Sequence, residues 1–226
     1  MRSFHSYGCY YCSMEISELF NKLNFMKKSI VFFFILFIAS CQFCLGGDQY
    51  FFVFLNGKSD KAVLPDSVVN KLMKSHFENI GRLAKAGKLV AAGPFSGVGG
   101  MFILKLGSIG EADSLLKADD AIKANRWNIE VYPLTISNGK LCKVPEKYEM
   151  ILYGFIRYKT NSIAAKKLFD RGELKNNFFF KCDFPEKGES VAIGYLKKDE
   201  MNYNELSAES IVYFNNLYIA KGTFCE

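Results

Sequence analysis

Residues 88–106 read KLVAAGPFSGVGGMFILKL. Lys88–Ala92 and Met101–Leu106 are short apolar runs of strand type; Gly93-Pro94 follows the first, and the glycine-rich Ser96–Gly100 is a loop. On the N-terminal side, Gly87 stands where a glycine commonly closes a helix. That helix opens at Pro65-Asp66-Ser67. Val69, Leu72, Met73, Phe77, Ile80, Leu83 and Ala84 recur along it at spacings of three and four, which gives one buried stripe. A polar turn, Asn56–Lys61, precedes the helix, and before the turn Gln49–Leu55 (QYFFVFL) is a continuous apolar run expected to be a buried strand. On the C-terminal side, Ser108 and Glu111 have the spacing of a capping box, opening a second helix that runs to about Ala118. Asp119-Asp120 begins a short helical or turn segment, and Ile129–Leu134 is a fourth strand. The order is β-α-β-β-α-β, the split β-α-β arrangement of ferredoxin-like α+β domains.

The pattern then returns. Lys140–Lys147 (KLCKVPEK) reads as a linker. Tyr148–Tyr158, Phe178–Cys182, Val191–Leu196 and Leu217–Phe224 are strands, and Ser162–Arg171 is a shorter helix. A shift of about 90 residues lays Met101–Leu106 on Val191–Leu196, Ala118-Asp119 on Ala208-Glu209, Asn125 on Asn215 and Ile129 on Ile219. A four-stranded unit leaves one sheet face partly uncovered, and two copies in one chain can hide that face against each other. The expected fold class is therefore α+β, ferredoxin-like of the dimeric α+β barrel type, with two tandem copies forming an intramolecular pseudo-dimer and the chain a monomer. The expected division is 1–25, an upstream extension; 26–47, a signal peptide; 48–139, the first domain; 140–147, a linker; and 148–226, a degenerate second copy. Two separate small domains, or one domain with an irregular tail, are the alternatives.

The chain has 226 residues with 29 basic and 23 acidic side chains, a net charge of +6. No Lys/Arg block is dense enough to be a nucleic-acid footprint, so no nucleic-acid partner is expected. Two histidines leave little room for a multi-histidine metal site. Met26-Lys27-Lys28 followed by Ile30–Ala39 (IVFFFILFIA) has the build of a secretory signal and is short of the about 20 apolar residues of a membrane span. Ile38-Ala39-Ser40-Cys41 resembles the bacterial lipobox. Acylation of Cys41 would anchor the protein to a membrane, because each buried methylene contributes about 0.8 kcal/mol. Plain secretion with cleavage nearer Gly46-Gly47 is the alternative, so the expected location is exported, as an envelope lipoprotein or a periplasmic or secreted protein. His5, Cys9 and Cys12 lie upstream and fall short of a four-ligand zinc set. Export would permit disulfides. Cys182–Cys225 is the pairing considered, with separate buried thiols as the alternative.

Several residues in Gln49–Leu134 together resemble the YciI-like (YCII-related) family: His76 in Lys74-Ser75-His76, then Ala86-Gly87-Lys88-Leu89, Ala92-Gly93-Pro94-Phe95, Gly97–Gly100, Ala118-Asp119 and Val131-Tyr132-Pro133-Leu134. The resemblance implies a ferredoxin-like barrel fold and a His–Asp pair, His76 and Asp119, as the catalytic candidates, with Gly93 and Pro94 shaping a substrate pocket and no cofactor or metal. The sequence departs from the family's pattern at Lys74-Ser75, where Arg-Pro is common, and at Asp120, where Pro usually follows the Asp.

Such a pair suits proton transfer. An imidazole can take and return a proton near neutral pH, and a carboxylate on its other nitrogen fixes the tautomer and stabilises imidazolium. The expected function is a small organic ligand bound in an apolar chamber inside the barrel, with isomerase, lyase or dehalogenase-like chemistry. The alternative is a non-catalytic envelope binding or structural module, since His76 also sits four residues from both Leu72 and Ile80 on an apolar helical stripe. Asp119 and Asp120 could equally be helix-start carboxylates. Gly97–Gly100 lacks the Lys-Ser/Thr of a phosphate cradle, and Trp127 reads as core or barrel-edge packing.

Overall fold

The computed structural model describes residues 48–163, 165, 167, 176–195 and 210–225. Asp48–Glu226 is one compact unit. The expected extension 1–25, the expected signal 26–47 with Cys41, most of the helix expected over Ser162–Arg171, and Glu209 lie outside the described residues.

The first sheet is built from β1 (Gln49–Gly57), β2 (Leu89–Pro94), β3 (Gly100–Leu106) and β4 (Trp127–Pro133), with α1 (Asp66–Lys85), α2 (Ile109–Lys117) and α3 (Asp120–Lys123) in the connections. Its order is β2-β3-β1-β4 and every neighbouring pair is antiparallel. That is the split β-α-β order read from the sequence. Ser108 caps α2 by accepting from the Glu111 backbone N–H at 3.2 Å. The Glu111 carboxylate reaches the Gly107 N–H and the Lys88 ammonium, and not Ser108.

β5 (Thr135–Asn138) directly follows β4 yet pairs with β7 (Phe178–Phe184) in a second sheet. This four-residue polar strand has too little alternation to announce itself. With β6 (Met150–Lys159), β8 (Glu189–Gly194) and β9 (Ile211–Ala220), the second sheet runs β5-β7-β8-β6-β9, antiparallel throughout. β9 starts earlier than the Leu217 expected from apolar content, because Ile211–Asn216 pairs with the second half of β6. Beyond β9 the chain turns, and Phe224 bridges back to Leu141.

β1 explains the layering. Phe51, Val53 and Leu55 face Leu83, Leu116 and the other helix-side residues, while Phe52 and Phe54 face the second sheet. All five are buried, so both faces of the strand are covered and the apolar run is continuous. The two sheets pack face to face over Phe52, Phe54, Phe95, Phe155, Phe180 and Phe184. One edge of the contact is drawn together where Ser96 N–H donates to the Asn216 carbonyl at 2.9 Å and Phe95 bridges Leu217. Arg157, buried on β6, spans the two sheets by pairing with Glu130 of β4 and Glu189 of β8.

The disulfide pairing considered from the sequence is corrected. Cys225 bonds Cys142, across a Cα–Cα distance of 5.5 Å. The Leu141–Phe224 bridge and the Cys142 N–H to Thr223 carbonyl bond at 2.8 Å bring these two cysteines together. Cys182 is a free thiol in the middle of β7, facing the inter-sheet core. Residues 140–147, expected as a plain linker, are thus tied at Cys142 to the end of the chain.

Candidate functional site

Of the apolar residues expected to form one buried stripe on α1, Leu83 is buried while Phe77 and Ala84 are exposed, and His76 lies on the buried side, 4% exposed. Its ring stacks on Phe102 of β3 with centroids 5.8 Å apart and tilts against Trp127 of β4 at 4.9 Å. Apolar neighbours alone would leave the imidazole nitrogens unsatisfied. Instead Nδ1 meets Asp119 Oδ2 at 2.8 Å, across 43 residues of sequence. Asp119 is 1% exposed at the N-terminus of α3. The two oxygens of this aspartate divide between His76 and the start of α3. Oδ1 caps α3 by accepting the Ala121 and Ile122 N–H groups at 3.0 and 3.2 Å, and Oδ2 holds the histidine.

A second layer supports the pair. Asn79, one turn after His76, donates to the same Oδ2 at 2.9 Å, and Arg82, a further turn on, donates to Asn79 Oδ1 at 2.6 Å. The sequence reading passed over Asn79 and Arg82. Their signal was the repeated three-residue step from His76 along one helix face. Two of the three residues that depart from the pattern of the resemblance, Ser75 and Asp120, also meet: Ser75 Oγ donates to Asp120 Oδ2 at 2.6 Å. This bond ties α1 to α3 beside the His76–Asp119 contact.

Burial by itself would raise the Asp119 pKa. The hydrogen bonds from His76 and Asn79, the charge of His76 and the Ile122 N–H outweigh it and hold the carboxyl below its ordinary 3.8. An ionised Asp119 accepts the proton on Nδ1, which fixes the orientation of the ring. No polar side-chain atom among the described residues is buried without a partner, and the His76 side chain lines the space beside it.

A folded-state pKa below the unfolded one contributes stability that is full above the ordinary carboxyl range and is lost as pH falls through the folded value. Acid titration of the urea midpoint is expected to fall from about pH 4 downward, and Asp119→Asn is expected to shallow that fall. An unchanged pH slope in the variant would remove Asp119 from this account.

The space beside His76 is a groove of about 770 Å³. It runs between α1, β2 and the disulfide-tied segment around Leu141–Val144. Its place corrects an expectation from sequence. The imidazole does not look into a chamber between the sheets, because that interlayer is packed with phenylalanines. His76 sits on the helix side of the first sheet instead.

Gly93, Pro94, Gly99 and Gly100 line the groove, so the glycine loop forms part of its rim. Gly93 has a further constraint: a Cβ there would stand 2.2 Å from the Tyr218 carbonyl oxygen of β9. Gly93→Ala is expected to lower unfolding free energy by about 3 kcal/mol, read from urea melts, because backbone must shift to admit the methyl. A loss under about 0.5 kcal/mol would show that the sheets slide freely at this edge.

Among the described residues no group of three or more His, Cys, Asp or Glu could hold a metal ion, and no helix is long and apolar enough to cross a membrane. Fold and site together define an α+β protein with two face-to-face antiparallel sheets and a His–Asp pair opening on an apolar groove. The chain matches no family model and no curated protein. Among solved structures it is similar to a candidate monooxygenase from Lactobacillus acidophilus NCFM, at 11% identity and a TM-score of 0.42, covering 80% of this chain and 100% of that one. It is also similar to a candidate monooxygenase from Fusobacterium nucleatum subsp. nucleatum, at 8% identity and a TM-score of 0.40, covering 80% of this chain and 99% of that one. Likenesses at this distance carry neither fold nor activity to this chain.

Proposed function

We propose that this chain is an exported YciI-like protein that binds a small organic molecule in the groove beside His76 and moves a proton on it without a cofactor. The single observation that carries the reading is the geometry of His76: Nδ1 is bonded to a buried carboxylate at 2.8 Å, while the ring lines an apolar groove. Asp119 orients the ring and stabilises the imidazolium that forms when Nε2 takes a proton. The low-polarity walls strengthen that electrostatic stabilisation. Abstraction beside a carbonyl, followed by return of the proton to a neighbouring atom or loss of a leaving group, fits a lone acid/base residue.

The second half serves in this reading as the partner of the first, making the chain an internal pseudo-dimer of the α+β barrel type. Support comes from the strand orders: leaving β5 aside, β7-β8-β6-β9 repeats the permutation β2-β3-β1-β4. Export is supported by the Cys142–Cys225 disulfide, a bond that persists in oxidising compartments, and Cys41 is the lipid attachment point in this reading.

Deuterium exchange tests the chemistry. A panel of ketones, keto acids and lactones is incubated with the protein in deuterated buffer, and exchange of the hydrogen beside each carbonyl is followed by proton NMR. At least one class is expected to exchange faster with the wild type, with a loss of about 100-fold or more in His76→Ala. Ligand-induced thermal shifts in wild type that vanish in His76→Ala, with no exchange of any substrate, would mark a binding module. Equal shifts in both proteins would take the site away from His76.

A further inference from the structure

Among the described residues the charged groups that line the groove are of one sign. Its walls are apolar, from Met73, Phe77 and Ile80 of α1, Val90 of β2, and Val144 and Met150 on the opposite side. Among the described residues no Asp or Glu lines it, whereas Lys105 and Lys143 do. Lys105 is held by Asp48 at 3.1 Å, with both side chains about half exposed. Pairs of that kind contribute little and exchange partners readily. Lys143, on the disulfide-tied segment, has no ion-pair partner among the described residues. Large apolar side chains are also left open to water beside the groove: Phe77 is 63% exposed, Tyr148 55% and Met150 44%. An apolar surface gathered around one concavity, with cations alone for charge, is complementary to a molecule that is apolar along its body and negative at one end.

We propose that the ligand class of the groove is an amphipathic organic anion, an apolar body of about ten carbons bearing a carboxylate. The body covers the α1 and Met150 walls, and the carboxylate pairs with Lys143 and with Lys105 released from Asp48. This inference rests on the reading of the groove as a small-molecule site and adds to it the sign of the ligand's charge.

The protein carries its own reporter. Trp127 is the single tryptophan of the chain, lines the groove and lies 4.9 Å from the His76 ring. The full-length protein is titrated with decanoate, 1-decanol and decylammonium, each below its micelle concentration, by tryptophan fluorescence and in parallel by calorimetry. Decanoate is expected to bind at least 10-fold tighter than decanol, and decylammonium weakest. Lys105→Glu/Lys143→Glu is expected to cost decanoate at least 10-fold and to leave decanol unchanged. Decanol or decylammonium binding as tightly as decanoate would overturn the assignment of charge while leaving a ligand-binding groove in place. An unchanged decanoate affinity in the double variant would do the same. Saturable binding of none of the three, by either measurement, would overturn the inference and the groove reading together.

Discussion

Replacing Arg157 with methionine is expected to lower the unfolding free energy by about 3–5 kcal/mol, read as a drop in the urea midpoint at constant slope. The reason lies in what the guanidinium serves. Nη2 bonds Glu130 at 2.9 Å and Nε bonds Glu189 at 2.6 Å, and the arginine side chain is 6% exposed. The cation also lies 4.2 Å over the Phe54 ring. Burial would raise the Glu130 pKa, yet the Arg157 and Tyr132 hydrogen bonds and the arginine charge hold it below its ordinary value. Removing the arginine leaves two carboxylates between the sheets without their cation, and that residue of charge is costlier than the lost pair itself. Adding Glu130→Gln and Glu189→Gln to the methionine variant is therefore expected to regain part of the loss. A loss below about 1 kcal/mol, the scale of an exposed pair, would show that water reaches this cluster freely.

Removing the Cys142–Cys225 bond comes next in size. The bond closes a loop whose ends are 83 residues apart. On the chain-entropy account, a loop of that length contributes about 4 kcal/mol by restricting the unfolded chain. Cys142→Ser/Cys225→Ser is expected to lose most of that amount in urea melts, and reduction of the wild type is expected to reproduce the loss. Because Cys142 and Lys143 line the groove, the variant is also expected to bind groove ligands more weakly than its global stability alone accounts for. Equal midpoints for oxidised and reduced protein would mean that the backbone bonds of Leu141, Cys142 and Cys225 hold this segment unaided. Cys182 gives the contrast. Burial pushes its thiol pKa up, away from the thiolate form that reacts.

The first half was legible because each of its signals is local. The three-and-four spacing from Val69 to Ala84, the Ser108 cap and the apolar runs around Gly93-Pro94 each act within a few residues. Those interactions decide whether a segment coils or extends. Asp119 was legible as a helix-start carboxylate for the same reason. Its bond to His76 entered through a family resemblance, since nothing local joins residues 43 apart. Ser75 and Asp120 looked like departures when read singly and turn out to bond one another. Arg157 gave no signal: one arginine in YEMILYGFIRY is silent about two glutamates on other strands.

The order of strands and helices from Gln49 to Leu134, the capped start of α2 and the helix-start role of Asp119 were within reach of the sequence alone. The choice of cysteine partner, the passage of β5 into the second sheet and the face of the first sheet that bears the site were decided only in three dimensions. The last has a definite cause. A half-buried strand declares its inner face by setting polar residues on the outer one, but Phe51–Leu55 is apolar on both sides. With no polar face as a reference, only packing could assign Phe52 and Phe54 to the second sheet and leave Phe102 and Trp127, on the other side, to hold His76.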